Sequence, residues 1–315
     1  MAIAFVFPGQ GSQFIGMGKD LAETYEEARE TFQEIDDTLS QKLSAVVFEG
    51  EESDLNMTEN TQPALMAVSM AVINVLKKQA GLNIEKTCQF VAGHSLGEYS
   101  ALCAAEVISL ADTARLLKLR GQSMQEAVPV GVGAMAAVLG LDFDVVAKIA
   151  EQAAKDQICV AANDNSVGQV VISGHKEAVE RAIAMASEKG ARRAIILPVS
   201  APFHCDLMAP AAEKMARSLA KTTFNAPFVP VIANVTANEQ TNPEVLKSLL
   251  VEQITGAVRW RESVLYMAKQ GITDMVEIGA GKVLCGLARR IDRSIATQNV
   301  GTPEGVDALI NFLKL

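Results

Sequence analysis

Apolar positions along this chain fall into two textures, short unbroken runs closed by glycine or proline and longer stretches with helical spacing. Ala2 to Phe7 is a short apolar run stopped by Pro8-Gly9, the pattern of a fully buried strand that ends in a tight loop, here Pro8 to Gln13. Cys88 to Ala92 repeats that pattern and stops at Gly93. Between them, the stretch from Thr61 carries Pro63 near a first helical turn, lysines in the last turn and Gly81 just past the end. It is apolar on all sides, so it is expected to be a buried helix. Helices are also expected over 98–106 and 110–124.

The texture changes at Pro129 with a glycine-spaced stretch. From there the order reads strand (134–139), helix (142–154), strand (158–162), strand (169–173), helix (176–189), strand (194–197), which is the βαββαβ, ferredoxin-like order. Alternation then resumes, with helix 209–221, strand 229–233, helices 245–255 and 261–270, strand 274–278 and helix 283–291. The pattern predicts an α/β protein whose α/β-hydrolase-like main domain, with a parallel sheet, is built from 1–128 and 199–315 and is interrupted by a ferredoxin-like insert at 129–198.

Composition narrows the class. The 315 residues hold 37 acidic and 28 basic side chains, a net charge of −9, with 49% hydrophobic and 21% charged residues, which excludes disordered and fibrous classes. No apolar run reaches membrane-spanning length, and Met1 to Phe7 has no basic leader, so a soluble cytoplasmic protein with no membrane association is expected. The acidic balance disfavours a nucleic-acid partner. Five scattered cysteines without a CxxC pair argue against disulfides and against a metal site.

The sharpest chemical signal is Gly93-His-Ser-Leu-Gly97, a G-x-S-x-G motif between a predicted strand and a predicted helix, the context in which Ser95 stands exposed on a strained turn. A serine needs a general base, and there are three histidines. His94 adjoins Ser95 on a sharp turn and flanks the site; His175 starts a helix of the insert; His204 lies in the loop 200–205 where the chain re-enters the main domain, and is the expected base. The group that orients its imidazole stays open, since nearly every Asp between Ser95 and His204 falls in the insert: a late acidic residue or a neutral acceptor such as a backbone carbonyl would serve. The loop at 9–11 fails as a dinucleotide fingerprint, as 281–283 fails as a phosphate loop. Its bare backbone suits another task, bringing the Gln10 N–H to an oxyanion beside Ser95. Arg120, from pattern alone, reads as a last-turn residue complementing a helix dipole.

FPGQGSQ at Phe7, GHSLGEYSAL at Gly93, RGQSMQEAVP at Arg120, PFH at Pro202, VEQ at Val251 and EIGAGKVLCGL at Glu277 together resemble the malonyl-CoA:acyl-carrier-protein transacylases of fatty acid synthesis and their polyketide synthase relatives. The resemblance implies acylation of Ser95 with His204 as base, oriented by the main-chain carbonyl of Gln253, and an oxyanion hole from the N–H groups of Leu96 and Gln10. It implies that Arg120 grips the malonyl carboxylate, that Phe203 crowds out branched acyl groups, and that Gln62, His94 and Met124 border the acyl pocket. The expected reaction is ping-pong transfer from malonyl-CoA to the phosphopantetheine of acyl carrier protein, by a monomer without a resident cofactor or metal. An acidic carrier requires local positive charge, for which Lys189, Arg192, Arg193, Lys282, Arg289 and Arg290 are the candidates. A serine hydrolase such as a thioesterase, and a non-catalytic acyl-CoA-binding module, are the alternatives.

Overall fold

The computed structural model describes residues 2–199 and 201–315; Ser200, in the loop that carries His204, and Met1 lie outside the described residues. Ten strands form two sheets among the described residues: β1 (Ile3–Phe7), β2 (Phe90–Gly93), β3 (Gly133–Leu139), β4 (Cys159–Ser166), β5 (Gln169–His175), β6 (Arg193–Ile196), β7 (Val231–Ala233), β8 (Asn238–Gln240), β9 (Asp274–Ile278) and β10 (Ala296–Val300).

The larger sheet runs β10-β9-β1-β2-β7-β8. It is parallel except at its edge, where β8 pairs antiparallel with β7. Alternation along β1 shows why such strands read as continuous apolar runs. Ile3, Phe5 and Phe7 enter a core with the long helix Thr58–Ala80, while Ala4 and Val6 enter a second core with Trp260, Val264 and Leu284 on the other face. Since β1 and β2 are adjacent and parallel, with Phe7 opposite Gly93, the loop after β1 and the turn after β2 open on the same edge. β7 and β8 continue on the β2 side, whereas β9 and β10 go to the far side of β1, and ligands of open α/β sheets bind at such a reversal.

The small sheet is ordered β4-β5-β3-β6 with every pair antiparallel, the ferredoxin-like arrangement, with helices Phe143–Ala154 and Lys176–Glu188 on one face. It is joined to the rest of the chain by more than its two chain crossings. Asn163 bridges to Val258, the Asp164 N–H donates to the Val258 carbonyl at 3.0 Å, and Arg261 pairs with Asp164 at 2.8 Å.

Several expectations need correction. The long helix begins at Thr58, so Pro63 lies inside it rather than in its first turn. Arg120 is not in a last turn, because its helix runs Leu110–Glu126. The helices Lys19–Thr24, Glu26–Leu39, Leu43–Glu49, Glu52–Leu55 and Pro303–Leu313, with strands β8 and β10, have no counterpart in the pattern reading. In Glu26–Leu39 the inward Ala28, Phe32 and Ile35 do have helical spacing, diluted by charged neighbours. No helix among the described residues is long and apolar enough to cross a membrane.

Candidate active site

Strand β2 ends at Gly93, and helix Gly97–Ala104 begins after a turn in which Ser95 adopts φ 53°, the left-handed region that a non-glycine residue enters at a cost of about 1–3 kcal/mol. The turn closes tightly on β1, for a Cβ on Gly97 would stand 2.2 Å from the Phe7 carbonyl oxygen. Asn234, just beyond β7, holds the strained residue from both sides. Its Oδ1 accepts from the Ser95 N–H at 2.8 Å and its Nδ2 donates to the Gly93 carbonyl at 2.7 Å.

His204 is buried and also left-handed, at φ 59°. Its Nε2 lies 2.9 Å from Ser95 Oγ and its Nδ1 2.8 Å from the Gln253 carbonyl oxygen. Gln253 sits in the last turn of helix Pro243–Thr255, where carbonyls lack intrahelical partners, so this oxygen is free to accept Nδ1–H. That bond leaves the Nε2 lone pair facing the serine hydroxyl. Burial, then the Arg120 charge and His94, push the imidazole down to about 3. At neutral pH His204 is therefore an unprotonated base. The negative helix end behind it favours the imidazolium that forms when it takes a proton.

Arg120 is 1% exposed and reaches the same serine, with Nη2 donating to Ser95 Oγ at 3.1 Å and to Gln253 Oε1 at 2.8 Å, and Nη1 to Gln62 Oε1 at 2.8 Å. Its guanidinium also lies 5.6 Å from the Tyr99 ring centre. All these acceptors are neutral. A desolvated cation held among neutral oxygens is a site for an anion.

Ser95, His204, Arg120, Gln62, Met124 and Phe203 border a cavity of about 570 Å³. It lies between the two sheets, as Met135, Asn163 and Val171 of the small sheet also line it. Met124 is both core and pocket wall, its Sδ 3.7 Å from Gln62 Nε2. Gln10 stands half-buried on the rim, and Leu96 precedes the elbow helix; among the described residues neither backbone N–H donates to a protein acceptor. His94 borders the cavity but does not meet the serine hydroxyl; its Nε2 lies 2.8 Å from Asn165 Oδ1 and its ring packs near Trp260. His175 stands at the N-terminal boundary of helix Lys176–Glu188 without a capping bond from its side chain, and its Nδ1 accepts from the Ile158 N–H at 2.9 Å.

Lys189, Arg192, Arg193, Lys282, Arg289 and Arg290 are all exposed. Arg290 is turned to the small sheet, donating to Gln169 Oε1 at 2.7 Å. Sequence reasoning missed Asn234, Asn165 and Glu98. Glu98 follows the elbow directly and reads in sequence as an ordinary first-turn acid, yet it is fully buried.

Chemistry of this kind, a serine hydroxyl poised to attack and an imidazole to receive its proton, belongs to serine enzymes that carry an acyl group as an ester. Within that class the chain belongs to the acyl transferase domain family, whose model matches residues 4–300. It is 50% identical over 309 residues to the malonyl CoA-acyl carrier protein transacylase of Escherichia coli K12, covering 98% of this chain and 99% of that protein. The crystal structure of an acyl-carrier-protein-S-malonyltransferase from Bartonella henselae superimposes with a TM-score of 0.98 at 56% identity over the whole of both chains. A malonyl-transacylase solved in complex with its type II polyketide acyl-carrier protein aligns with a TM-score of 0.96 at 43% identity, covering 99% of this chain and all of that one.

Proposed function

We propose that this chain moves malonyl groups from malonyl-CoA to the phosphopantetheine thiol of an acyl carrier protein, through a malonyl ester on Ser95, in fatty acid biosynthesis. One observation carries the reading: Ser95 Oγ lies within hydrogen-bonding reach of both the His204 imidazole, at 2.9 Å, and the Arg120 guanidinium, at 3.1 Å. A malonyl thioester has an electrophilic carbonyl at one end and a carboxylate at the other, and matches that pairing. The relatives named above support the choice of acyl group and carrier.

In the first half-reaction Ser95 Oγ bonds to the thioester carbon as its proton passes to His204 Nε2. The N–H groups of Gln10 and Leu96 receive the developing oxyanion, and the C–S bond breaks as His204 returns the proton to the coenzyme A sulfur. Arg120 meanwhile trades the Ser95 hydroxyl for the malonyl carboxylate while Gln62 and Gln253 keep their hold on it, with Phe203 and Met124 limiting the acyl chain. In the second half-reaction the carrier thiol yields its proton to His204 and its sulfur attacks the ester. Ser95 then leaves with that proton. The attacking group, base and anion clamp are all side chains, so the proposed chemistry draws on no resident cofactor. The six exposed basic residues are the proposed docking charges for the acidic carrier. The chain is proposed to act as a monomer, and five buried free cysteines fit a reducing cytoplasm.

Incubation with malonyl-CoA followed by peptide mass mapping tests the reading. The expected result is a malonyl adduct on the peptide containing Ser95, absent in Ser95→Ala; no adduct, or one on Cys205, would overturn it.

A further inference from the structure

Glu98 is fully buried beneath the elbow and has no part in the reaction derived above. Its Oε2 accepts from the Gln253 side-chain Nε2 at 2.7 Å and from the Asn234 backbone N–H at 3.1 Å, while Oε1 has no protein partner among the described residues. The other end of the Gln253 amide faces Arg120, with Oε1 accepting from Nη2 at 2.8 Å, and Nε2 also donates to the Ser95 carbonyl at 3.0 Å. Gln253 is thus used twice, its backbone carbonyl for His204 and its side chain for Arg120.

A primary amide presents an acceptor at one end and donors at the other, and only its partners decide which end points where. Turned over, the Gln253 amide would set its NH2 against a guanidinium, donor to donor, and its oxygen against a carboxyl oxygen, acceptor to acceptor. In a buried site each such contact leaves polar groups unpaired. Glu98 at the bottom, together with the Ser95 carbonyl, therefore fixes what Arg120 meets at the top.

The geometry points to Glu98 as a positioning residue for acyl-group selection: by locking the Gln253 amide, it aims the Arg120 guanidinium at the acyl end of the Ser95 pocket. This rests on the proposed malonyl transfer, because selection of an anionic acyl group is its readout. Burial raises the Glu98 carboxyl to about 7, against the opposing pull of Gln253, Asn234 and Arg120. In either charge state Oε2 remains an acceptor, so the role requires the oxygen rather than the charge. Glu98 also steadies Asn234 and through it the Ser95 elbow. Loss of that support slows acylation by every acyl group alike, whereas loss of Arg120 alignment shows only with an anionic one.

The experiment compares kcat/KM for Ser95 acylation by malonyl-CoA and acetyl-CoA in the full chain and in Glu98→Ala, Glu98→Gln, Gln253→Met and the double variant Glu98→Ala/Gln253→Met. The malonyl-to-acetyl ratio is expected to fall about tenfold or more in Glu98→Ala, the size of one charge-assisted hydrogen bond. Glu98→Gln, which keeps an acceptor for Gln253, should restore it to within about threefold. Gln253→Met should show the same fall as Glu98→Ala, and the double variant no further loss. An equal fall with both substrates, a Glu98→Gln ratio as low as that of Glu98→Ala, or a further loss in the double variant would overturn the inference. If Glu98→Ala does not fold, an unaltered ratio in Gln253→Met overturns it alone. Wild-type protein without malonyl preference would remove the functional reading itself, whereas a wild-type preference that persists in every variant removes only the role of Glu98.

Discussion

A guanidinium that is 1% exposed and bonded to the neutral oxygens of Gln62, Gln253 and Ser95 has given up water without gaining a directly bonded anion. In the proposed reaction a carboxylate compensates that desolvation, so binding energy at Arg120 would be drawn from the part of the substrate that does not react. Arg120→Ala should lower kcat/KM for malonyl-CoA by on the order of 100-fold to 1,000-fold, about 3–4 kcal/mol, with a far smaller effect on acetyl-CoA. Arg120→Lys should fall between wild type and alanine, because a single ammonium cannot span Gln62 and Gln253 and still offer two parallel bonds to a carboxylate. Steady-state kinetics with the two thioesters decide both, and a malonyl preference surviving in Arg120→Ala would remove Arg120 from its role.

The elbow between β2 and helix Gly97–Ala104 works because it is pressed against β1, and a backbone oxygen occupies the place where a side chain would begin. Gly97→Ala would place a Cβ 2.2 Å from the Phe7 oxygen and 2.8 Å from the Pro8 oxygen. Neither is the far end of a movable side chain. The expected outcome is destabilisation on the order of 3 kcal/mol, read by urea unfolding, with a loss of Ser95 acylation beyond what the unfolded fraction explains. This element was legible in the chain because its rule is local: strand, G-x-S-x-G and helix are contiguous. His204 was legible by elimination among three histidines. The Gln253 carbonyl was not legible from pattern, since any helix end offers such an oxygen and only the resemblance singled it out. Asn234 and Glu98 act on the elbow across 139 and on Gln253 across 155 residues of chain respectively, and no spacing rule operates over such separations. At the level of the fold, the change of texture at Pro129 lies just ahead of β3, the first strand of the small sheet. The ion pair between Arg261 and Asp164, 97 residues apart, and the bridge at Val258 that stitch the small sheet to the segment leading into helix Trp260–Lys269 left no pattern to read.

Folding also gathers ionisable groups from distant segments into one dry region, and their altered proton affinities belong to the stability of the whole molecule. His204 and His94 are both lowered by burial, so between pH 6.5 and about 3 the unfolded chain binds protons that the native His204 refuses. The contribution of His204 to stability is lost as pH falls through that window, and that of His94 is lost in the same direction. Glu98 works in the opposite sense, because burial raises it from 4.5 to about 7 and the native state holds the proton that the unfolded chain releases. Its contribution is complete below pH 4.5 and is lost as pH rises towards 7. Across pH 4.5–6.5 the slopes of Glu98 and His204 oppose each other. Glu98→Gln removes one member of that opposition without removing the oxygen that Gln253 requires. Relative to wild type, the variant should therefore gain unfolding free energy as pH rises from 4.5 to 7, by up to about 1.4 kcal/mol per pH unit, with no further change above that range. Urea unfolding of both proteins at half-unit pH steps measures the difference. A constant offset across the window would mean that Glu98 titrates alike in the folded and unfolded chain, and that the pocket beneath the elbow is wetter than its packing implies.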